Sequence, residues 1–135
     1  MIVFSSETVS NRTGVSLWQL QWWDEQGIIR PTHDRAKRGG GVPGPRCYSP
    51  AQLLEVRIVA NCRARGLGLR AARNVLQAVR KADFKACLVL TDGKRVWVEP
   101  GGLSALARLK TARQGMWLID VAALHALDAE RSKAA

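Results

Sequence analysis

Cysteine and histidine are scarce in this chain of 135 residues. There are three cysteines, Cys47, Cys62 and Cys87, and two histidines, His33 and His125. An odd, widely spaced cysteine set does not form the disulfide framework that staples small secreted domains, and it suits a reducing cytoplasm. No cysteine has a nearby Cys or His in sequence, so the three read as small buried hydrophobes rather than metal ligands. Long apolar runs are missing as well, which excludes a membrane-spanning helix. The opening MIVFSSETVS has no basic segment followed by a long apolar stretch, so no secretory leader is expected. The carboxylates are scattered, and Gly39-Gly40-Gly41 fits neither of the glycine-rich phosphate-binding patterns. No Ser/His/Asp or Cys/His set can be nominated by spacing. The chain is therefore not expected to be an enzyme, and no catalytic residue, metal or cofactor is assigned.

Acidic residues are the other shortage. Eleven Asp and Glu face 21 Lys and Arg, a formal net charge of +10, with a pI near 10.6. The excess is uneven: residues 1–82 hold 13 basic against 5 acidic side chains, and residues 83–135 hold 8 against 6. Such a field attracts polyanions, nucleic acid first and anionic membrane second. A hydrophobic fraction of 47% is that of a globular protein.

The N-terminal part reads as helices with local caps. Ser5 or Ser6 can cap a short helix that ends near Gly14. Ser16 followed by Gln19 has capping-box spacing and opens a second helix that stops near Gly27, with Leu20 and Trp23 sharing its buried face. Two short helices joined by a glycine-containing turn form a helix-turn-helix. Residues 30–46, RPTHDRAKRGGGVPGPR, form a basic loop, with flanking strands expected at 28–30 and 46–48. Ser49-Pro50-Ala51-Gln52 is a helix start. A further helix runs to about Ala82 with Leu69, Ala72, Val75, Leu76 and Val79 as its apolar stripe.

After Asp83 the pattern changes. Residues 88–90 and 96–98 flank a turn at Asp92-Gly93 and predict a hairpin. A short helix over 103–110, a strand over 116–119 and a last helix capped by Asp120 follow. The expected fold class is α+β: a winged helix-turn-helix over residues 1–82 and a small hairpin-helix-strand-helix module over 83–135.

The ordered series Thr13-Gly14-Val15-Ser16, Leu20, Trp22-Trp23, Glu25, Gly27-Ile28-Ile29 and Pro31 resembles the MerR-family signature. Arg46-Cys47-Tyr48-Ser49 is similar to the end of that family's wing, and Leu53, Ile58 and Arg65 to Leu69 resemble its next two helices. The resemblance covers roughly residues 4–80. It implies a second helix in the major groove, a wing on the DNA backbone and a homodimer on a pseudo-palindromic site. Three departures stand out: Gln21 where the family commonly has Arg, a Trp22-Trp23 pair, and a longer, Gly- and Pro-rich loop. Metal-sensing members keep cysteines in the dimer helix and the loop after it, unlike this chain.

The resemblance assigns DNA contact to Ser16, Trp18, Gln19, Gln21 and Trp22 on the helix, and to Arg35, Lys37, Arg38, Arg46 and Tyr48 on the wing. Glutamine can pair with adenine. Tryptophan can pack on a thymine methyl or donate to phosphate, and the wing cations neutralise phosphates. Trp23 and Tyr48 suit packed positions. Arg57, Arg63, Arg65, Arg70 and Arg73 read mostly as a solvated face. Trp97 and Trp117 either fill a small core or serve dimerisation. Three functions follow: a transcription regulator acting as a homodimer, an antitoxin whose residues 83–135 bind a toxin, or a weakly specific architectural DNA-binding protein. The implied partners are double-stranded DNA, a second copy, and a protein such as a toxin or RNA polymerase.

Overall fold

A computed structural model describes residues 2–33, 44–82, 88–99 and 116–134, with side chains through residue 128. The fold is α+β. The chain divides into two compact units, residues 1–60 and 61–135, and the division falls inside a helix.

The first unit opens with strand β1 (Phe4–Ser5) and helix α1 (Ser6–Thr13). Ser5 caps α1, its Oγ accepting from Thr8 N at 3.2 Å. Gly14 ends the helix with φ 76°, and its N–H donates to Ser10 O. That left-handed geometry suits a residue without a Cβ. Three residues later α2 (Leu17–Glu25) begins. Its capping box is complete: Gln19 N donates to Ser16 Oγ at 3.1 Å, and Ser16 N donates to Gln19 Oε1 at 3.3 Å. Leu20 and Trp23 are buried at 2% and 3% exposure, as their spacing predicts.

The chain leaves α2 differently from the expected strand at 28–30. Gly27 takes φ 72°, and Ile28 N and Ile29 N both donate back to Trp23 O. Both isoleucines are thereby buried in the helix-ending turn. The strand comes later, as β2 (Thr32–His33), and pairs antiparallel with β3 (Arg46–Tyr48). β1 adds to the other edge of β3, Phe4 opposite Tyr48, giving the order β1-β3-β2. Helix α3 (Pro50–Ala64) starts as predicted. Gln52 N donates to Ser49 Oγ and Ser49 N to Gln52 Oε1, a second reciprocal cap. Val9, Val15, Tyr48, Leu53, Leu54 and Val56 complete the buried set with Leu20, Trp23, Ile28 and Ile29. Each such side chain is worth roughly 1.5–3 kcal/mol of burial.

The second unit holds the end of α3, helix α4 (Leu69–Lys81), strands β4 (Leu88–Thr91), β5 (Val96–Glu99) and β6 (Trp117–Asp120), and helix α5 (Val121–Ala134). The sheet is antiparallel in the order β5-β4-β6. Val89, Leu90 and Thr91 of the central strand are fully buried. Helix α4 packs on β4 and β5, and α5 on β4. α4 buries Ala71, Ala72, Val75, Leu76 and Val79, close to the predicted stripe. The turn at Asp92-Gly93 forms, with Asp92 Oδ1 accepting from the N–H groups of Lys94 and Arg95. Asp120 caps α5 by accepting from Ala123 N at 3.0 Å. The helix expected at 103–110 lies outside the described residues. Among the described residues no helix is long and apolar enough to cross a membrane.

Candidate nucleic-acid interface

Helix α2, LWQLQWWDE, presents an exposed face with no Lys or Arg. Leu17 is 49% exposed and Trp18 70%. Trp18 and Trp22 are one helical turn apart, and their rings stack with centroids 6.3 Å apart and planes 6° from parallel. Trp22 is half-buried beneath this stack. Ser16 and Gln19 are exposed and share the capping box. Gln21 is exposed too, with Nε2 donating to Glu25 Oε1 at 3.0 Å. The helix thus brings Ser16, Trp18, Gln19 and Gln21 to solvent with Trp22 behind them. It carries only negative formal charge, from Asp24 and Glu25.

Strand β3 is tied to this helix. Arg46 Nε donates to Asp24 Oδ2 at 2.7 Å, and both side chains are largely sheltered from water. His33 Nε2 stands 3.9 Å from the same carboxylate oxygen, so the pair gains charge attraction when the imidazole is protonated. Arg46 was expected on phosphate, but its Nε is committed within the protein. Ser6, Glu7, Leu17, Gln21, Pro45 and Arg46 line an open groove of about 240 Å³. Tyr48 is 1% exposed and its hydroxyl is buried, so it supports the wing from the core and offers no surface to DNA. Burial raises its pKa above the ordinary 10.0, while the Arg46 charge partly offsets that effect. Arg35, Lys37 and Arg38 lie outside the described residues.

Several other cations make contacts of their own. Arg12 sits over the Phe4 ring, its guanidinium carbon 4.9 Å from the ring centroid. Arg30 is exposed and folds back over Gly27, where an added Cβ would lie 3.1 Å from its guanidinium. Arg57, expected on a wet face, is buried at 9% exposure. Arg63 and Arg65 are exposed but turn to backbone carbonyls, those of Leu67 and Leu118. Trp117 returns the second link by donating its indole N–H to Arg65 O at 3.0 Å. Cys62 is fully buried, and burial pushes its thiol pKa up to about 11. Cys47 is half-buried, and Cys87 lies outside the described residues. Among the described residues no group of three or more His, Cys, Asp or Glu side chains is arranged to hold a metal ion.

The capped pair α1–α2, with its tight glycine turn, is a helix-turn-helix, and short antiparallel strands follow it. Residues 4–79 match the family model described as MerR HTH family regulatory protein, and the chain belongs to that family. Among solved structures the chain is similar to HiNmlR, described as a MerR family regulator lacking the sensor domain, bound to promoter DNA. That likeness has a TM-score of 0.49 at 14% identity and covers 61% of this chain and 58% of that one. This chain therefore spans less than two thirds of that neighbour. No curated protein matches it.

The exposed α2 face and the Ser16–Gln19 cap were legible by spacing. Two features were not anticipated. Asp24 is the anchor for Arg46 across 22 residues, and no local signal marks it. The Trp18–Trp22 stack has i, i+4 spacing, which predicts such a contact.

Proposed function

We propose that this protein is a sequence-specific DNA-binding transcription regulator acting as a homodimer. Its membership of a helix-turn-helix regulator family over residues 4–79 is the observation that carries the proposal. Helix α2 enters the major groove, where Ser16, Trp18, Gln19 and Gln21 face bases and Trp22 reaches the adjoining backbone. The wing over 30–48 lies on phosphates. Arg35, Lys37 and Arg38 supply its charge, and Arg46 sets its angle through Asp24. The exposure of the α2 face and the excess of 13 basic over 5 acidic residues within 1–82 support this assignment. Residues 83–135 serve dimerisation or hold a partner protein.

The test is selection of bound duplexes from a random pool by the full chain. Enrichment of an inverted repeat supports a dimeric, sequence-specific regulator. A pool that binds but never enriches leaves an architectural protein, and a pool that does not bind at low salt removes DNA from the account.

A further inference from the structure

We infer that Trp18, backed by Trp22, reads thymine methyl groups in the major groove and is the main specificity determinant of α2. The inference rests on the DNA-binding function proposed above.

The hydrogen-bonding side chains of α2 are already occupied in part. Bidentate pairing of a glutamine with adenine needs its carbonyl oxygen as acceptor and its amide NH2 as donor together. Gln19 Oε1 is accepting from Ser16 N, and Gln21 Nε2 is donating to Glu25 Oε1. Each glutamine must give up an internal bond to make the full pair. The face also has no Lys or Arg to read guanine bidentately. Its most exposed large apolar group is the Trp18 ring, 70% exposed, with Leu17 beside it in sequence at 49%.

An exposed tryptophan is ordinarily free to rotate and loses that freedom on binding. Here Trp18 already lies against Trp22 in a near-parallel, offset stack, at 6° and 6.3 Å, which reduces the freedom left to lose. The flat face of the ring is apolar and is best matched by an apolar partner. The base edges of the major groove offer one such mark that differs between base pairs, the C5 methyl of thymine. An uncharged reader releases no counterions, so this part of recognition is insensitive to salt. The salt dependence belongs to the basic residues elsewhere.

The experiment compares the best duplex from the selection with the same duplex carrying deoxyuridine for thymine, which removes the methyl and keeps the hydrogen-bonding edge. Affinities are measured for the full-length wild type and for Trp18→Ala, whose site is solvent-exposed and outside the core. The wild type should lose about fourfold in affinity per contacted methyl, the value of burying one such group. Trp18→Ala should bind both duplexes alike, with the salt slope of the wild type. If the wild type binds both duplexes equally well, the inference falls while DNA binding stands. It also falls if Trp18→Ala discriminates as strongly as the wild type. Tighter binding to the single strand would assign the ring to base stacking instead and overturn methyl reading. Binding to no duplex at all would remove the proposed function itself.

Discussion

Arg46, on the strand that ends the wing, donates its Nε proton to the Asp24 carboxylate near the end of α2, at 2.7 Å. The link joins helix α2 to a strand 22 residues later in a sheltered ion pair. It ties to the helix a sheet whose strands β2 and β3 are only two and three residues long. Asp24→Asn should lower stability by about 1–2 kcal/mol, because a charge-assisted bond is lost and a guanidinium is left short of its partner. Denaturant melts of Asp24→Asn, Arg46→Met and the double variant check this. The double variant should cost clearly less than the two single losses added together.

The cap of α2 is a separate, local contribution. Ser16→Ala removes the acceptor for Gln19 N, while the backbone N–H of residue 16 can still donate to Gln19 Oε1. A loss of about 1 kcal/mol is expected in a urea melt. Its DNA affinity should fall with an unchanged salt slope, since no phosphate-neutralising charge is removed.

The turn between α1 and α2 makes a cleaner prediction. Gly14 has φ +76°, and a Cβ placed there would meet nothing within 4 Å. Gly14→Ala should therefore carry only the left-handed backbone cost, about 1–2 kcal/mol. Gly14→Asn should recover part of that loss, because asparagine tolerates this region. Equal losses for both variants in thermal melts would point to a steric cause instead.

Alkaline conditions should weaken the protein. Burial raises the Cys62 thiol from 9.0 to about 11, and the Tyr48 hydroxyl is raised above 10.0 for the same reason. In the unfolded chain both groups lose their protons earlier, so the folded state holds more protons over this range. Stability is then fully present below pH 9 and declines as pH rises toward 11, each group contributing a slope of about 1.4 kcal/mol per pH unit at most. Denaturant melts across that range check the decline, and Cys62→Ala should decline less steeply than the wild type. At pH 8 the thiol should resist alkylation until the chain unfolds.

In the second unit, the α3–α4 corner and strand β6 are tied in both directions. Arg65 donates to Leu118 O, and Trp117 donates to Arg65 O at 3.0 Å. Trp117→Phe keeps most of the ring and removes the donor, and should cost about 1 kcal/mol. A loss several times larger would mean that the ring's packing, rather than its N–H, holds the corner.

Much of this architecture was legible from short-range rules. Ser5, Ser16, Ser49 and Asp120 each cap a helix through a bond to the residue three positions on, so their roles are written in local spacing. The hairpin around Asp92-Gly93 is equally local. Strands β1 and β2 were not legible, because two residues contain no periodicity and their positions depend on pairing with β3. The expected strand at 28–30 failed because a left-handed Gly27 lets Ile28 and Ile29 bond back to Trp23. In the interface, Trp18 and Gln21 were placed correctly on the exposed face. The Arg46–Asp24 pair and the burial of Tyr48 depend on contacts distant in sequence.

The central claim is sequence-specific DNA binding, and it is tested most directly by titrating the purified chain with its own upstream DNA and with a scrambled duplex across a salt series. A preference for the upstream duplex that persists as salt rises, with affinity for both falling, is the predicted result. Equal affinity for both duplexes, lost together as salt rises, would contradict it.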